Sequence, residues 1–238
     1  MSGLRRFFTQ KIEKINEITG EEYSHAINTL RLGVGDEIIL CDNSGKDYVC
    51  TVTKVEKKSY FAEVKEEKEN DEETKIFSLL ICGYLKGDKT EYVVQKAVEL
   101  GAKEIAVFSS EYSSAYMSEN KLARLNKVSV EAAKQCGRSI APKVVYFDNV
   151  SSALEYGKKC KNRLFFYENK TNYVTHISDF KGDAALVIGS EGGFSEAEVD
   201  LALSFGYSII SLGKRILRAD TAAVSALSLI MYENGELQ

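Results

Sequence analysis

The chain of 238 residues is poor in the residue types that build metal sites and disulfide frameworks. Its two histidines, His25 and His176, are too few for a histidine-rich metal cage or a well-supported Ser-His-Asp triad. Its five cysteines are scattered, odd in number and never form a Cys-x-x-Cys pair. We therefore expect no bound metal and no disulfide framework, and a reducing cytoplasm is the compartment that fits best.

Long apolar runs are also lacking. No segment approaches the ~18 apolar residues that a membrane-spanning helix needs, and residues 1–14 lack the apolar stretch of a secretory signal. A hydrophobic fraction of 44%, a charged fraction of 28% and a mean hydropathy of −0.21 are typical of a globular chain that buries a core. We expect a soluble cytoplasmic protein with no membrane partner.

An excess of positive charge is the third feature that the chain lacks. The net charge of −4 and the isoelectric point near 5.5 argue at first against a protein that grips phosphates. The excess acid lies in one segment, however, because residues 66–75 (EEKENDEETK) contain two lysines and six acids. Residues 121–143 instead carry six basic side chains and one acid. Such a local patch can hold a structured RNA even in an acidic protein.

The same acidic segment divides the chain into two patterns. Because residues 66–75 contain no apolar side chain, they predict an acidic linker between domains at 1–65 and 76–238. The first domain has several short strands, including an alternating one at 48–55, and a Thr19-x-x-Glu22 capping box. This pattern predicts a small β-barrel.

The second domain alternates near-continuous apolar strands with helices. Its strands are expected near 76–84, 104–109, 143–147, 163–168, 184–189 and 207–212, and its helices near 89–100, 120–136, 150–160, 196–205 and 221–233. Asp88 with Glu91, and Ser195 with Glu198, resemble capping boxes, and Gly101 and Gly206 stand where helix-ending glycines belong. An α/β fold with a mainly parallel sheet follows.

The segment LVIGSEGGFSEAEVD (186–200) is the most informative. A buried strand runs into a loop with three glycines and then into a capped helix, so the backbone can approach a ligand closely. Glu191 in this loop would repel a pyrophosphate, which favours a neutral or cationic ligand, although a tight turn without a ligand has the same pattern. The dinucleotide motif G-x-G-x-x-G is absent, and GYLKGDKT (83–90) departs from a phosphate loop at Asp88, which we interpret as a helix cap.

Two further segments carry candidate cations. SLGKRILRADTAAVSALSLIM (211–231) places Lys214, Arg215 and Arg218 between a strand and an almost wholly apolar helix, which should be buried. Arg218 is either functional or part of a structural ion pair. QCGRS (135–139) places Arg138 after a basic helix, where it could reach a reaction centre, whereas we interpret Cys136 as a small buried residue.

Together, GSEGGFSEAEV, SLGKRILRADTA, QCGRS and RRFF resemble the RsmE family of SPOUT-class methyltransferases, which methylate N3 of a uridine in small-subunit ribosomal RNA. The resemblance implies an N-terminal PUA-like β-barrel and a C-terminal SPOUT domain with a deep trefoil knot. It also implies a homodimer, S-adenosylmethionine as cofactor and 16S ribosomal RNA in the small subunit as partner. Ser190 and Ala219 depart from the family patterns G-P-E-G-G and R-T-E-T-A.

The resemblance also implies site residues. The cofactor would be held by three loops that contribute Phe166, Tyr167, Glu168, Ile188, Gly189, Glu191, Gly192, Gly193, Ser211, Leu212, Gly213, Ile216, Leu217, Arg218 and Ala222. Our hypothesis directs Arg138 and Arg218 to the uracil oxygens or an adjacent phosphate, and gives Glu191 and Asp220 a positioning or proton-accepting role. The RNA contacts would come from Arg5, Arg6, Arg31, Lys121, Arg124, Lys134 and Arg138.

Two alternatives remain open from the sequence. A SPOUT methyltransferase could act on another RNA position, such as a tRNA ribose 2′-OH. The departures at Ser190 and Ala219 would also suit a non-catalytic RNA-binding ribosome assembly factor with a vestigial cofactor pocket.

Overall fold

The computed structural model describes residues 4–111, 117–168 and 177–237, so His176 lies outside the described residues. The chain forms two compact units, Met1–Glu73 with Ala133–Ala141, and Thr74–Ala132 with Pro142–Gln238. The contribution of Ala133–Ala141 to the N-terminal unit is a long-range feature that the sequence pattern does not predict.

The N-terminal unit contains a five-stranded sheet in the order β1-β3-β4-β5-β2. Strands β1 and β3 are parallel, and the other neighbours are antiparallel. A short helix and a π-helical turn, His25–Thr29, connect β2 to β3. The elements are β1 (Arg5–Phe8), β2 (Ile15–Thr19), α1 (Gly20–Ser24), β3 (Glu37–Cys41), β4 (Lys46–Val55) and β5 (Ser59–Glu69).

The alternation in β4 does what the sequence predicts. Cys50 and Val52 enter a core with Phe7, Leu40 and Tyr60, and each of these side chains is at most 1% exposed. Thr19 is the N-cap of α1, as expected, but its side chain makes no capping hydrogen bond.

Residues 66–69 differ from the expected linker, because they continue β5 and pair with Lys46–Val49 of β4. Strands pair through backbone groups, so a two-stranded ribbon that is exposed to solvent can form without alternating apolar residues. Charged side chains are therefore accepted in it. The Lys46 ammonium lies 2.6 Å from the Glu67 carboxylate across the two strands and adds a small cross-strand attraction.

The C-terminal unit contains a six-stranded sheet in the order β11-β9-β10-β6-β7-β8, and every pairing in it is parallel, as predicted. The strands are β6 (Ser78–Gly83), β7 (Glu104–Phe108), β8 (Val144–Phe147), β9 (Asn162–Phe166), β10 (Ala184–Ile188) and β11 (Ser208–Ile210). The helices are α2 (Lys89–Glu99), α3 (Glu119–Cys136), α4 (Val150–Gly157), α5 (Glu196–Ser204) and α6 (Ala219–Glu233).

The expected helix signals have different outcomes. The Ser195–Glu198 capping box at the start of α5 is confirmed, since both reciprocal hydrogen bonds are present. Gly101 and Gly206 follow α2 and α5 with φ values of +88° and +76°, as helix-ending glycines do. The cap at Asp88 is wrong in its detail, because that side chain makes no capping hydrogen bond.

Helix α6 is buried along one stripe only. Ala223, Leu227 and Ile230 are at most 1% exposed, and the helix packs on β10, β6 and α2. On its other side Leu229 is 42% and Tyr232 57% exposed. One chain alone therefore does not bury the whole apolar surface of the helix, although the sequence predicts a buried helix.

Candidate cofactor and active site

Three loops meet at the carboxyl edge of the parallel sheet. Strands β11, β9 and β10 are consecutive neighbours, and parallel strands end at the same edge, so the segments after Phe166, Ile188 and Ile210 lie side by side. They enclose a cleft of ≈ 340 Å³. Its lining consists of Lys89, Phe166, Tyr167, Glu168, Ile188, Gly189, Ser190, Glu191, Gly193, Phe194, Ser211, Leu212, Gly213, Arg215, Ile216, Leu217, Arg218, Ala219 and Ala222.

The glycine loop of this cleft is tightly built. The N–H of Gly193 donates to the carbonyl of Ser190 at 3.0 Å, which closes a turn around Glu191. Gly193 has a φ of +69°, and a Cβ there would lie 3.0 Å from Oε1 of Glu168. A Cβ on Gly83, at the end of β6, would lie 2.5 Å from the backbone nitrogen of Ser190. Position 83 needs glycine because two backbone segments approach closely there, and position 193 favours glycine because its φ is positive.

Ser190 is buried and tied to the neighbouring strand end. Its hydroxyl lies 2.9 Å from the hydroxyl of Ser110, just beyond β7, and both residues are at most 7% exposed. A buried hydroxyl pair of this kind satisfies both groups and holds the loop in register. The residue that departs from the family pattern therefore has a definite structural contact.

Glu191 is a fixed anion at the edge of the cleft. Its Oε1 accepts hydrogen bonds from the Lys89 ammonium and from the backbone N–H of Lys86, each at 3.1 Å. Burial acts to raise the pKa of Glu191, but the bonds from Lys89, from its own N–H and from Lys86 outweigh burial and lower the pKa. A carboxylate held ionised in this way attracts a cation and is a weak proton acceptor.

Arg218, the N-cap of α6, also lines the cleft. Among the described residues, no carboxylate forms an ion pair with Arg218, Arg215 or Lys214. The guanidinium of Arg218 is thus available to a ligand. The ion-pair interpretation of this residue is not supported, whereas the functional interpretation remains.

The cleft fits a nucleoside cofactor that carries a positive sulfonium. Its volume is within the range of about 300–1,000 Å³ for small-ligand sites. Leu212, Leu217 and Ile216 supply apolar walls, and Ile216 is 82% exposed, which is unusual for such a side chain without a covering group. Glu168 and Glu191 supply negative charge, and the strand ends present backbone donors and acceptors to an adenine ring.

A second cavity of ≈ 400 Å³ adjoins the cleft and shares Lys89 with it. Its lining consists of Asp88, Lys89, Tyr92, Asp220, Thr221, Val224 and Ser225. Asp220 therefore faces this cavity and is not part of the cleft lining. Burial, together with the charges of Glu191 and Asp220, raises the pKa of the Cys82 thiol to about 12, so this cysteine is not a nucleophile.

All of the expected cofactor residues except Gly192 line the cleft. The expected cofactor residues did not include five residues of the lining, which are Lys89, Ser190, Phe194, Arg215 and Ala219, and the second cavity was not expected. The signal for Lys89 was present in GYLKGDKT, where we assigned only a cap. Lys89 of that segment is the first residue of α2, and its ammonium binds the Glu191 carboxylate of the glycine loop.

Arg138, the second expected catalytic cation, is engaged within the N-terminal unit. Its guanidinium is 2% exposed, and its Nη2 lies 3.0 Å from Oε2 of Glu73. Glu73 also accepts the backbone N–H of Ile140 at 2.9 Å. Arg138 does not line the described cleft. Its guanidinium is buried and paired with Glu73, so it stabilises the surrounding fold instead.

The seven residues that were expected to contact RNA fall into two groups, those in largely buried ion pairs and those that are exposed. Arg6 is paired with Asp47 at 2.7 Å, and Lys134 with Glu22 at 2.7 Å, with side-chain exposures of 9% and 11%. With Arg138, these residues hold the N-terminal unit together. Arg5, Arg31 and Lys121 are exposed, and the exposed Arg124 lies 2.7 Å from Glu91.

Within the described ranges, no helix is both long and apolar enough to cross a bilayer. The described residues also contain no group of three or more His, Cys, Asp or Glu side chains that could hold a metal ion.

The parallel sheet and its carboxyl-edge cleft define an α/β protein with a site for a cationic nucleoside ligand. Residues 72–231 match the family model of an RNA methyltransferase domain, and residues 18–65 match that of an RNA methyltransferase PUA domain. The ribosomal RNA small subunit methyltransferase E of Bacillus subtilis is 32% identical over 97% of this chain and 97% of its own length. That of Mesomycoplasma hyopneumoniae is 32% identical over 94% of this chain and 97% of its own. The chain belongs to the ribosomal RNA small subunit methyltransferase E family.

Solved structures agree with this membership. A Neisseria gonorrhoeae ribosomal RNA small subunit methyltransferase E bound to S-adenosylmethionine has a TM-score of 0.86 and 27% identity, over 98% of each chain. A methyltransferase from Legionella pneumophila, also with bound S-adenosylmethionine, has a TM-score of 0.88 and 26% identity, over 98% of each chain. The resemblance inferred from the motifs, the PUA-like domain and the enzyme class with its cofactor are confirmed.

Proposed function

We propose that this chain transfers a methyl group from S-adenosylmethionine to N3 of a specific uridine in 16S ribosomal RNA. Family membership supports the substrate class, and the observation that carries the site assignment is Arg218 on the wall of the cleft, where no described carboxylate forms an ion pair with it. The small ribosomal subunit, or its precursor, is the partner that this activity requires, and the cytoplasm is its compartment.

The chain's own residues bind and orient the cofactor. Glu191, ionised and fixed by Lys89, would attract the positive end of the cofactor, while Leu212 and Leu217 would pack against its apolar surface. When bound, S-adenosylmethionine supplies a methyl group on a sulfonium, and the methyl replaces the proton on uridine N3. That proton leaves to a positioned group or to water.

We assign to Arg218 the stabilisation of the negative charge that develops on the uracil ring. A neutral imide has no available lone pair at N3, so the nitrogen must lose its proton, which leaves negative charge on the ring and its oxygens. A guanidinium beside an oxygen stabilises that charge. Glu191 is a poor acceptor for the proton because its pKa is lowered, so we assign it a positioning role.

We also propose a homodimer and a deep trefoil knot, as the family resemblance implies. The exposed apolar side chains Leu229 and Tyr232 on α6 support a second copy, which would cover them. Light scattering should give twice the chain mass, and a monomeric mass at working concentration would contradict the dimer.

The function is tested by mass spectrometry of ribosomal RNA from cells with and without the protein. Wild type should restore an N3-methyluridine in 16S RNA, Arg218→Ala should restore none, and Arg218→Lys should restore part. Calorimetry should show that Arg218→Lys binds S-adenosylmethionine as wild type does. Full methylation by Arg218→Ala would refute the role of Arg218, and a methyl group that appears in transfer RNA instead would refute the substrate.

A further inference from the structure

The cofactor assignment leaves unexplained the second cavity, which is lined by Asp88, Lys89, Tyr92, Asp220, Thr221, Val224 and Ser225. We propose that it holds the acceptor uracil, turned out of the RNA, during methyl transfer. This inference rests on the proposed function and deepens it, because it assigns the residues that recognise the base.

The cavity lies where an acceptor must be. Lys89 lines both spaces, so a ligand in the second cavity is next to one in the cleft. The lining residues of α2 lie in its first turn and those of α6 in its first two turns, at spacings of three and four that put each set on one helix face. Helices α2 and α6 pack against each other, which brings the two faces together.

The polar groups of the cavity complement the pairing edge of uracil. That edge presents an acceptor, the N3–H donor and a second acceptor. Oδ1 of Asp220 accepts the N–H of Thr221 at 2.8 Å, and among the described residues Oδ2 has no partner and can accept N3–H. The Lys89 ammonium or the Ser225 hydroxyl can donate to one ring oxygen, which leaves the other for Arg218, two residues before Asp220 on the wall of the adjoining cleft. Cytosine presents an acceptor at N3, which a carboxylate repels, so the cavity should favour uracil.

Tyr92 supplies a stacking surface. It is a large aromatic side chain on α2 that is 47% exposed at the rim of the cavity. Enzymes that modify a base commonly turn it out of the helix, read its pairing edge and stack it on an aromatic ring. An exposed tyrosine beside a carboxylate and an ammonium provides both interactions.

The experiment measures methylation of small subunits taken from cells that lack the protein. Tyr92→Ala should lower kcat/KM about tenfold, as expected for the loss of one base–aromatic stack, whereas Tyr92→Phe should retain it. Ser225→Phe fills the cavity and should abolish methylation, whereas Ser225→Ala removes only the hydroxyl donor and should lower methylation by a smaller factor. Leu203→Ala, an exposed apolar residue on α5 outside both cavities, is the matched surface control and should behave as wild type.

Two further measurements separate the outcomes. Calorimetry should give the same affinity for S-adenosylmethionine in Tyr92→Ala, Ser225→Phe and wild type, since the cofactor cleft is untouched. If wild type itself methylates no uridine, the proposed function fails. If wild type is active and Tyr92→Ala and Ser225→Phe match Leu203→Ala, the base site fails while the function stands. A change in molecular mass for Tyr92→Ala, instead of a change in kcat/KM, would assign Tyr92 to a contact between copies and also overturn the base site.

Discussion

Replacing Arg138 by methionine should destabilise the N-terminal unit and leave the chemistry of the folded enzyme intact. The guanidinium is 2% exposed and its partner, the Glu73 side chain, is 10% exposed. Removing one member of a buried pair leaves the other charge without compensation, at a cost of about 3–5 kcal/mol. With a urea dependence of about 1.5 kcal/mol per molar for a small unit, the unfolding midpoint should fall by about 2–3 M.

The assay is a urea titration followed by circular dichroism and tyrosine fluorescence, because the chain has 13 tyrosines and no tryptophan. The double variant Arg138→Met with Glu73→Gln should recover much of the loss, since no buried charge is left unpaired and the glutamine oxygen can still accept the N–H of Ile140. Arg124→Met is the matched control. It breaks an ion pair of 2.7 Å whose arginine side chain is 68% exposed, and it should cost less than about 1 kcal/mol.

The structural role of Arg138 is refuted by one result. If Arg138→Met unfolds at the wild-type midpoint and yet loses methylation of small subunits, the guanidinium acts on the RNA or the substrate, as the family resemblance suggested. If activity per folded molecule is retained, Arg138 holds the fold.

Three further predictions concern the C-terminal unit. Gly83→Ala should lower both stability and cofactor affinity, because its Cβ would meet the backbone nitrogen of Ser190 at 2.5 Å. Thermal melting measures the stability and calorimetry the affinity, and wild-type values in both would show that the strand ends can separate. Ser195→Ala should cost about 1 kcal/mol in urea unfolding through loss of the α5 cap, and Ser195→Asp should restore it. The lowered pKa of Glu191 means that its attraction to Lys89 is fully present above the ordinary value of 4.5 and is lost as the pH falls through the lowered pKa. Cofactor affinity should therefore be flat from about pH 8 to 5 and fall below that range, and a decline near neutral pH would contradict the assignment.

Local signals in the sequence predict most elements of the C-terminal unit, whereas the set of cleft residues came from the family resemblance. Apolar runs in β6 to β11 predicted a parallel sheet, and a parallel sheet places the loops after β9, β10 and β11 at one edge. The glycines of the 189–193 loop predicted a close backbone approach. At Gly189 the reason is local, because a Cβ there would crowd atoms of the same chain segment.

Which charges are paired depends on the tertiary structure. Arg138 and Arg218 look alike in the sequence, but Arg138 meets Glu73 65 residues away, whereas Arg218 meets no described carboxylate. Lys89 and Glu191, 102 residues apart, form the pair that fixes the anion of the cleft. The availability of a charge depends on partners and burial, and the folded chain sets both through contacts that no local pattern encodes.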